Sequence, residues 1–246
     1  FFGDMADSAY FCDEKTHDNA NEDFYAYFKG KIRTSELVPF RGALLDLMGA
    51  DADTPFHHHD ADGLVYGYPK VQYKLIGGRP AVLSVDVPLG PLTDLFEAGP
   101  RSLRIGDRDV QLELDEVVMR HYSPAIDDAP KRYRLTRYLP LNEKNVDEYD
   151  GLLALTDRIC FLENIITANI LSFFKGIGYH ADEQIEVALT AMQPPRVAYY
   201  KKVAFRSFQL EFVTNAVLPS HIGLGKSVSV GFGMLQRIGQ DPTDTP

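Results

Sequence analysis

The stretch Gly223-Leu224-Gly225-Lys226-Ser227-Val228-Ser229-Val230-Gly231-Phe232-Gly233 constrains this chain more than any other. Four glycines, a lysine and two serines frame a short β-branched run. Such a backbone can come very close to a neighbour and offer it amide N–H groups. The residues that follow, Met234 to Ile238, read as one last apolar strand. A glycine-rich loop feeding a C-terminal strand points to a phosphate-rich ligand held from the edge of a sheet. A P-loop fits poorly, because it needs glycine where Ser220 stands and opens a helix rather than a strand. The competing reading is a structural glycine turn with no ligand.

At 246 residues the chain is long enough for one large domain or two small ones with well-buried cores. A composition 45% hydrophobic and 24% charged is that of a globular protein. No basic segment followed by an apolar one marks a signal peptide at the N-terminus. The longest apolar stretch, Ile159 to Phe174, is interrupted by Glu163, Asn164 and Asn169, so no membrane partner is expected. Cys12 and Cys160 lack metal-ligand spacing, and free thiols suit a reducing compartment, so the cytoplasm is the expected location. The net charge of −10 weighs against nucleic acid at first sight, yet it is unevenly spread. Residues 1–23 hold seven acids against Lys15, a net of −6, which leaves −4 for the other 223 residues.

Residues 1–23 read as an acidic, aperiodic extension. Phe24 to Arg33 then alternates: Phe24, Ala26, Phe28, Gly30 and Ile32 share one face, and Tyr25, Tyr27, Lys29, Lys31 and Arg33 share the other. This is a half-buried strand with an open aromatic and basic face. A helix is expected from about Ser35 to Met48, stopped by Gly49. Leu64–Ile76 and Ala81–Val85, joined through Gly77-Gly78, carry a hairpin signal. A short helix around Leu89–Glu97 and strands within Leu103–Tyr122 complete the order βαββαβ of a ferredoxin-like unit. The turn-rich segment Ser123–Pro130 is the expected linker. The order then starts again. A basic strand at Lys131–Leu139 leads to a long helix from about Leu152 to Phe174. Strands follow near Gln184–Met192, Arg196–Val203 and Ala204–Val213, and then the glycine loop with its final strand. The expected architecture is α+β, two tandem ferredoxin-like domains: 24–128, carrying a histidine loop, and 129–246, carrying the glycine-rich loop.

The second informative segment is Phe56-His57-His58-His59-Asp60, with Tyr66 after it. Imidazole can take and give a proton near neutrality. Metal-free cleavage of an RNA phosphodiester needs such groups: a base for the 2′-hydroxyl, an acid for the departing 5′-oxygen and a cation for the phosphorane charge. His57 and His59 are the candidates, with Tyr66 placed to hydrogen-bond one of them. A His-x-His pair beside Asp60 also suits zinc or nickel, though no further ligand cluster is visible, and a solvated polar loop is the plain alternative. A second aromatic and basic run, Arg196, Tyr199, Tyr200, Lys201, Lys202 and Arg206, again suits bases stacked beside tracked phosphates.

Taken in order, Arg41-Gly42, Phe56-His57-His58-His59, Tyr66-Gly67-Tyr68-Pro69-Lys70-Val71-Gln72-Tyr73-Lys74, Asn169-Ile170-Leu171-Ser172, Lys175-Gly176-Ile177-Gly178-Tyr179 and the glycine loop resemble the Cas6 family. These are CRISPR-associated endoribonucleases of the RAMP superfamily, and the likeness is greatest to the branch with a His-x-His motif and a following tyrosine. It spans roughly Phe24 to Ile238. The resemblance implies cleavage of CRISPR repeat RNA without cofactor or metal, leaving a 2′,3′-cyclic phosphate. It places His57 and His59 in the acid–base positions with Tyr66 beside them. Lys29, Lys31, Arg33, Arg41, Lys74, Arg132, Arg134, Gly223, Gly225, Lys226, Ser227, Gly231 and Gly233 are the expected RNA-binding set, from the segregation of basic residues in an acidic chain and from the glycine loop that the resemblance implies grips RNA. A homodimer and effector-complex subunits are further partners it admits. A non-cleaving RAMP subunit that only binds RNA is the alternative function, and an enzyme holding a small phosphorylated ligand at the glycine loop is a third.

Overall fold

The computed structural model describes residues 21–49, 59–60, 63–64, 67–97 and 99–239. In the first half, strand β1 (Asn21–Lys29) leads through a 3-10 turn into helix α1 (Leu37–Met48). Two short strands, β2 (His59–Asp60) and β3 (Gly63–Leu64), pair with each other. β4 (Val71–Ile76), β5 (Arg79–Val85), helix α2 (Gly90–Glu97), β6 (Arg101–Ile105) and β7 (Arg108–Tyr122) complete it. The second half runs β8 (Ala125–Tyr138), α3 (Val146–Gly151), α4 (Leu155–Gly176), β9 (Val187–Met192), β10 (Arg196–Tyr200), β11 (Val203–Val217) and β12 (Met234–Ile238).

The first sheet has the order β4-β5-β1-β7-β6, and the second β10-β11-β8-β12 with β9 also on β11. All pairings are antiparallel. In each half the first strand lies centrally, between β5 and β7 or between β11 and β12, which is the expected tandem ferredoxin-like fold. Local signals explain several elements. Gly77 and Gly78, at φ 58° and 79°, supply the left-handed turn that closes the β4–β5 hairpin. Gly49, at φ 79°, stops α1.

Helices α1 and α2 cover one face of the first sheet, where Phe28, Phe40, Leu44, Leu92, Phe96 and Tyr73 form a core. The other face of that sheet is also covered. Tyr25, Leu83 and Val85 join Tyr133, Phe173, Phe212 and Leu235 of the second half in one continuous cluster. The expected open aromatic face of β1 is therefore an internal one: Tyr25 and Tyr27 are buried, and the Tyr25 hydroxyl donates to Ser220 O at 3.0 Å. Alternation along β1 reports which residues share a face; it carries no information on the domain that packs against them.

Three further expectations change. β1 starts at Asn21, so Glu22 and Asp23 belong to the first sheet rather than to the acidic extension. The linker shrinks to Ser123-Pro124, because β8 already pairs with β11 at Ala125. The turn signal near Asp127–Pro130 is real but local: β8 bulges there, and the Asp127 carboxylate accepts from the Ala129 amide at 2.9 Å and from the Lys131 ammonium. The long helix starts at Leu155, itself exposed, and is preceded by the unforeseen α3. By length and composition the 22 residues of α4 suit a membrane span. In the fold its stripe of Leu162, Ile166, Ile170, Phe173 and Phe174 is buried against the second sheet.

Candidate functional site

The segment from His221 to Leu235 folds back on itself. His221 N donates to Leu235 O at 2.7 Å, Leu235 N to Ile222 O at 2.9 Å, and Leu224 N to Gly233 O at 2.9 Å. Its 3-10 turn, Val228–Val230, sits against β4 and α1 of the other domain. Three of the four glycines direct their amides into the protein: Gly223 to Gln72 Oε1 at 2.9 Å, Gly231 to Val228 O at 3.3 Å, and Gly233 to Arg137 O at 3.0 Å.

Space explains the glycines. A Cβ at Gly233 would fall on Leu224 O, one at Gly231 on Leu37, and one at Gly223 on Val228. Gly223, Gly231 and Gly233 are thus buried close-packing residues, and Gly223 and Gly231 lie against Gln72 and Leu37 of the first domain. What faces solvent is the crest around Lys226, which is exposed between the half-buried Gly225 and Ser227, the latter left-handed at φ 57°. Arg137 pins the base of the loop, donating to Gly231 O at 3.3 Å and lying 4.1 Å over the Phe232 ring.

The chain that carries the histidines enters from α1 and leaves at Gly67-Tyr68. His57 and Tyr66 lie outside the described residues, and for His59 the backbone alone is described, paired with Leu64 in β2–β3. The exit is firmly held. Tyr68 donates to Gly223 O at 2.9 Å and accepts from Gln72 Nε2 at 2.8 Å, while Gln72 also donates to Pro69 O. Burial pushes the Tyr68 phenol above its ordinary range, opposed by the Gln72 bond. Gly176 leaves room for the ring, since a Cβ there would lie 2.5 Å from Tyr68 Cβ, and Phe173 meets it edge-on at 5.0 Å. Tyr68 thus ties together the end of the histidine segment, the end of α4 and the start of the glycine loop. Tyr68 and Gln72 were legible only as members of a motif. Their anchoring role appears once the second domain is in place.

The basic residues divide into two groups. Lys31, Arg33, Arg132 and Lys226 are exposed and form no ion pair among the described residues. Lys29 is held by Glu113 at 2.8 Å and Asp115 at 3.7 Å, and Arg134 by Glu211 at 2.7 Å. Arg41 is half-buried, its Nε without a hydrogen bond among the described residues. Lys74 departs most from expectation. It is fully buried between the domains, its ammonium has no partner among the described residues, and desolvation lowers its pKa to about 7. An interior ammonium cannot meet an RNA phosphate, so Lys74 leaves the RNA-facing set. In the second aromatic and basic run, Tyr199, Lys201 and Lys202 stand exposed on the β10–β11 hairpin, with both lysines left-handed at its turn.

Two family models match the chain in succession: Cas6b N-terminal domain over residues 24–123 and Cas6b C-terminal domain over residues 125–238. An uncharacterized protein of Methanocaldococcus jannaschii is 35% identical over 109 residues, covering 42% of this chain and 69% of the relative. Among solved structures, a crystal structure of Cas6b superposes with a TM-score of 0.74 at 23% identity, covering 89% of this chain and 100% of the other. The crystal structure titled CRISPR RNA processing endoribonuclease Cas6b gives 0.64 at 23% identity, over 88% and 100%. Csf5, a type IV Cas6 crRNA endonuclease, gives 0.57 at 14% identity, over 89% and 100%. With both domain models matched in tandem and the fold shared, the chain belongs to the Cas6b family of CRISPR-associated RAMP proteins.

Proposed function

We propose that the protein is a metal-independent endoribonuclease that cuts CRISPR repeat RNA into mature crRNA. The observation that carries this is the seating of the glycine loop on α1 and β4, the two elements that bracket the His57–Tyr66 segment. RNA tracked by the crest around Lys226 and Ser227 would pass the elements between which the histidine segment runs. One of His57 and His59 deprotonates the 2′-hydroxyl next to the scissile phosphate. The oxygen attacks phosphorus, the P–O5′ bond breaks, and the other imidazole protonates the departing 5′-oxygen. The products are a 2′,3′-cyclic phosphate and a 5′-hydroxyl. Tyr66 orients one imidazole or donates to a nonbridging oxygen. Lys31, Arg33, Arg132 and Lys226, exposed and without an ion pair among the described residues, hold the backbone of the RNA.

The test is single-turnover cleavage of labelled repeat RNA in excess chelator. General acid–base groups typically contribute about two to four orders of magnitude. His57→Ala and His59→Ala should each slow cleavage by roughly that much while leaving binding nearly intact. Full activity in the double variant, or activity only with a divalent metal, overturns the assignment. A mobility shift without cleavage in the wild-type protein supports the non-cleaving RAMP subunit instead.

A further inference from the structure

We propose that the cleft between α3, the middle of α4 and the crest of the glycine loop holds one unpaired nucleotide of the bound RNA. Its base would be read by asparagine amides. The inference rests on the RNA-processing reading above and adds a specificity pocket to it. The cleft encloses about 540 Å³, a size typical of small-ligand sites. Asn142, Asn145, Asn164 and Asn169 line it, and Gly225 and Lys226 form its lip. Four amides stand together beside a glycine-loop lysine, and although three of them each use one group to hold the fold, each keeps another group to offer.

Existing hydrogen bonds set what each amide has left to offer. Asn169 Nδ2 donates to the Tyr138 hydroxyl at 2.6 Å, so its Oδ1 remains as an acceptor. Asn145 Oδ1 accepts from Asn142 N at 2.6 Å, and Asn142 Oδ1 accepts from Lys144 N at 2.8 Å and Asn145 N at 3.1 Å. The two NH2 groups are therefore what Asn142 and Asn145 present. Asn164 is exposed and makes no side-chain hydrogen bond among the described residues. Glu148 adds a carboxylate acceptor to the lining.

Donors alternating with acceptors match the edge of a nucleobase, and acceptors such as Asn169 Oδ1 and Glu148 favour an exocyclic amino group. Adenine and cytosine carry one; uracil does not. The half-buried Phe161 on the wall offers the base an apolar surface, and Lys226 offers a cation to its phosphate. Tyr138 lies beneath both Asn169 and Gly225, with its Cε2 only 2.7 Å from where a Gly225 Cβ would be. This gives Asn169, part of the Asn-Ile-Leu-Ser motif, a role that the cleavage chemistry leaves unassigned.

A strand-borne nucleotide and a free one share this chemistry, so both are probed. Fluorescence anisotropy of the full chain with short labelled oligo(rA), oligo(rC) and oligo(rU) of equal length should show rA or rC bound about tenfold more tightly than rU, the size of one good bidentate base contact. Asn164→Leu should narrow that preference. Ala168→Trp, which plugs the cleft from an exposed helix position, should abolish it while leaving oligo(rU) affinity, its salt dependence and the thermal unfolding curve unchanged. A wild type without preference, or a preference that survives both variants, overturns the pocket. If adenosine or cytidine 5′-monophosphate binds in a way that Ala168→Trp blocks while oligonucleotide affinities do not respond, the cleft is a mononucleotide site and the strand-borne reading falls. Failure of every oligonucleotide to bind instead refutes the RNA reading beneath it.

Discussion

Lys74 and Asp23 show how far single side chains can be moved from their usual chemistry by domain packing. Both are buried where the two halves meet, and both pKa values lie at about 7. For Asp23 burial is the main cause, reinforced by Asp86 and opposed by Arg120; for Lys74 burial is the cause. The signs oppose each other. Between the ordinary carboxylate range and about pH 7 the folded chain holds Asp23's proton and the unfolded chain does not, so stability falls as pH rises. Between about pH 7 and the ordinary lysine range the unfolded chain holds Lys74's proton and the folded chain does not, so stability rises. A minimum near neutrality follows. Lys74→Met should remove the alkaline arm and raise stability at about pH 7 by on the order of a few kcal/mol. Urea unfolding at about pH 6, 7 and 10 checks this, and an unchanged pH slope in the variant would sink it.

At the scale of elements, the glycine loop is built by exclusion of side chains. Gly233 combines φ 61° with the Leu224 carbonyl in the place of a Cβ, whereas Gly239 at φ 91° has open space around it. Gly239→Ala should cost only backbone strain, about 1 kcal/mol. Gly233→Ala adds a clash with rigid backbone and should cost about 2–4 kcal/mol, a melting temperature lower by several degrees. Equal losses at the two positions would show that close approach does not dictate the glycine. The Tyr68 anchor makes a second prediction. Tyr68→Phe leaves Gly223 O and Gln72 Nε2 without their buried partner and should cost about 1–3 kcal/mol, read by urea denaturation. Gln72→Leu on top of it should then cost less than it does alone, because the two share one network.

For the whole molecule, a net charge of −10 sets the RNA-binding question as one of distribution. Each phosphate contact releases counterions, with a salt slope of about −0.7 per contact for single strands. Charge reversal at Lys31 or Arg132, which have no acidic partner among the described residues, should flatten the slope by roughly one unit. Replacement of Lys29 or Arg134 by alanine should flatten it less, since Glu113 and Glu211 already neutralise them. Equal effects in the two groups would show that the ion pairs open when RNA binds and that the division is not functional.

The sequence by itself determined the element order and its repetition. Two-residue alternation, helix stripes, Gly49 and the Gly77-Gly78 turn are local signals, and they placed β1, α1, the β4–β5 hairpin, α4 and β12 close to where they lie. The same residues could not announce what covers each face. Tyr25, Tyr27 and Lys74 read as exposed because one ferredoxin-like sheet with helices on one side leaves its other side open. Here the second domain fills that side, and burial is a property of pairs of distant segments. The glycine loop divides in the same way. Its composition revealed a backbone in close approach, and only the tertiary fold showed that Gly223, Gly231 and Gly233 approach protein while the crest around Lys226 stays open. The four asparagines of the cleft lie up to 27 positions apart along the chain. Helix docking, which no local pattern encodes, brings them to one place.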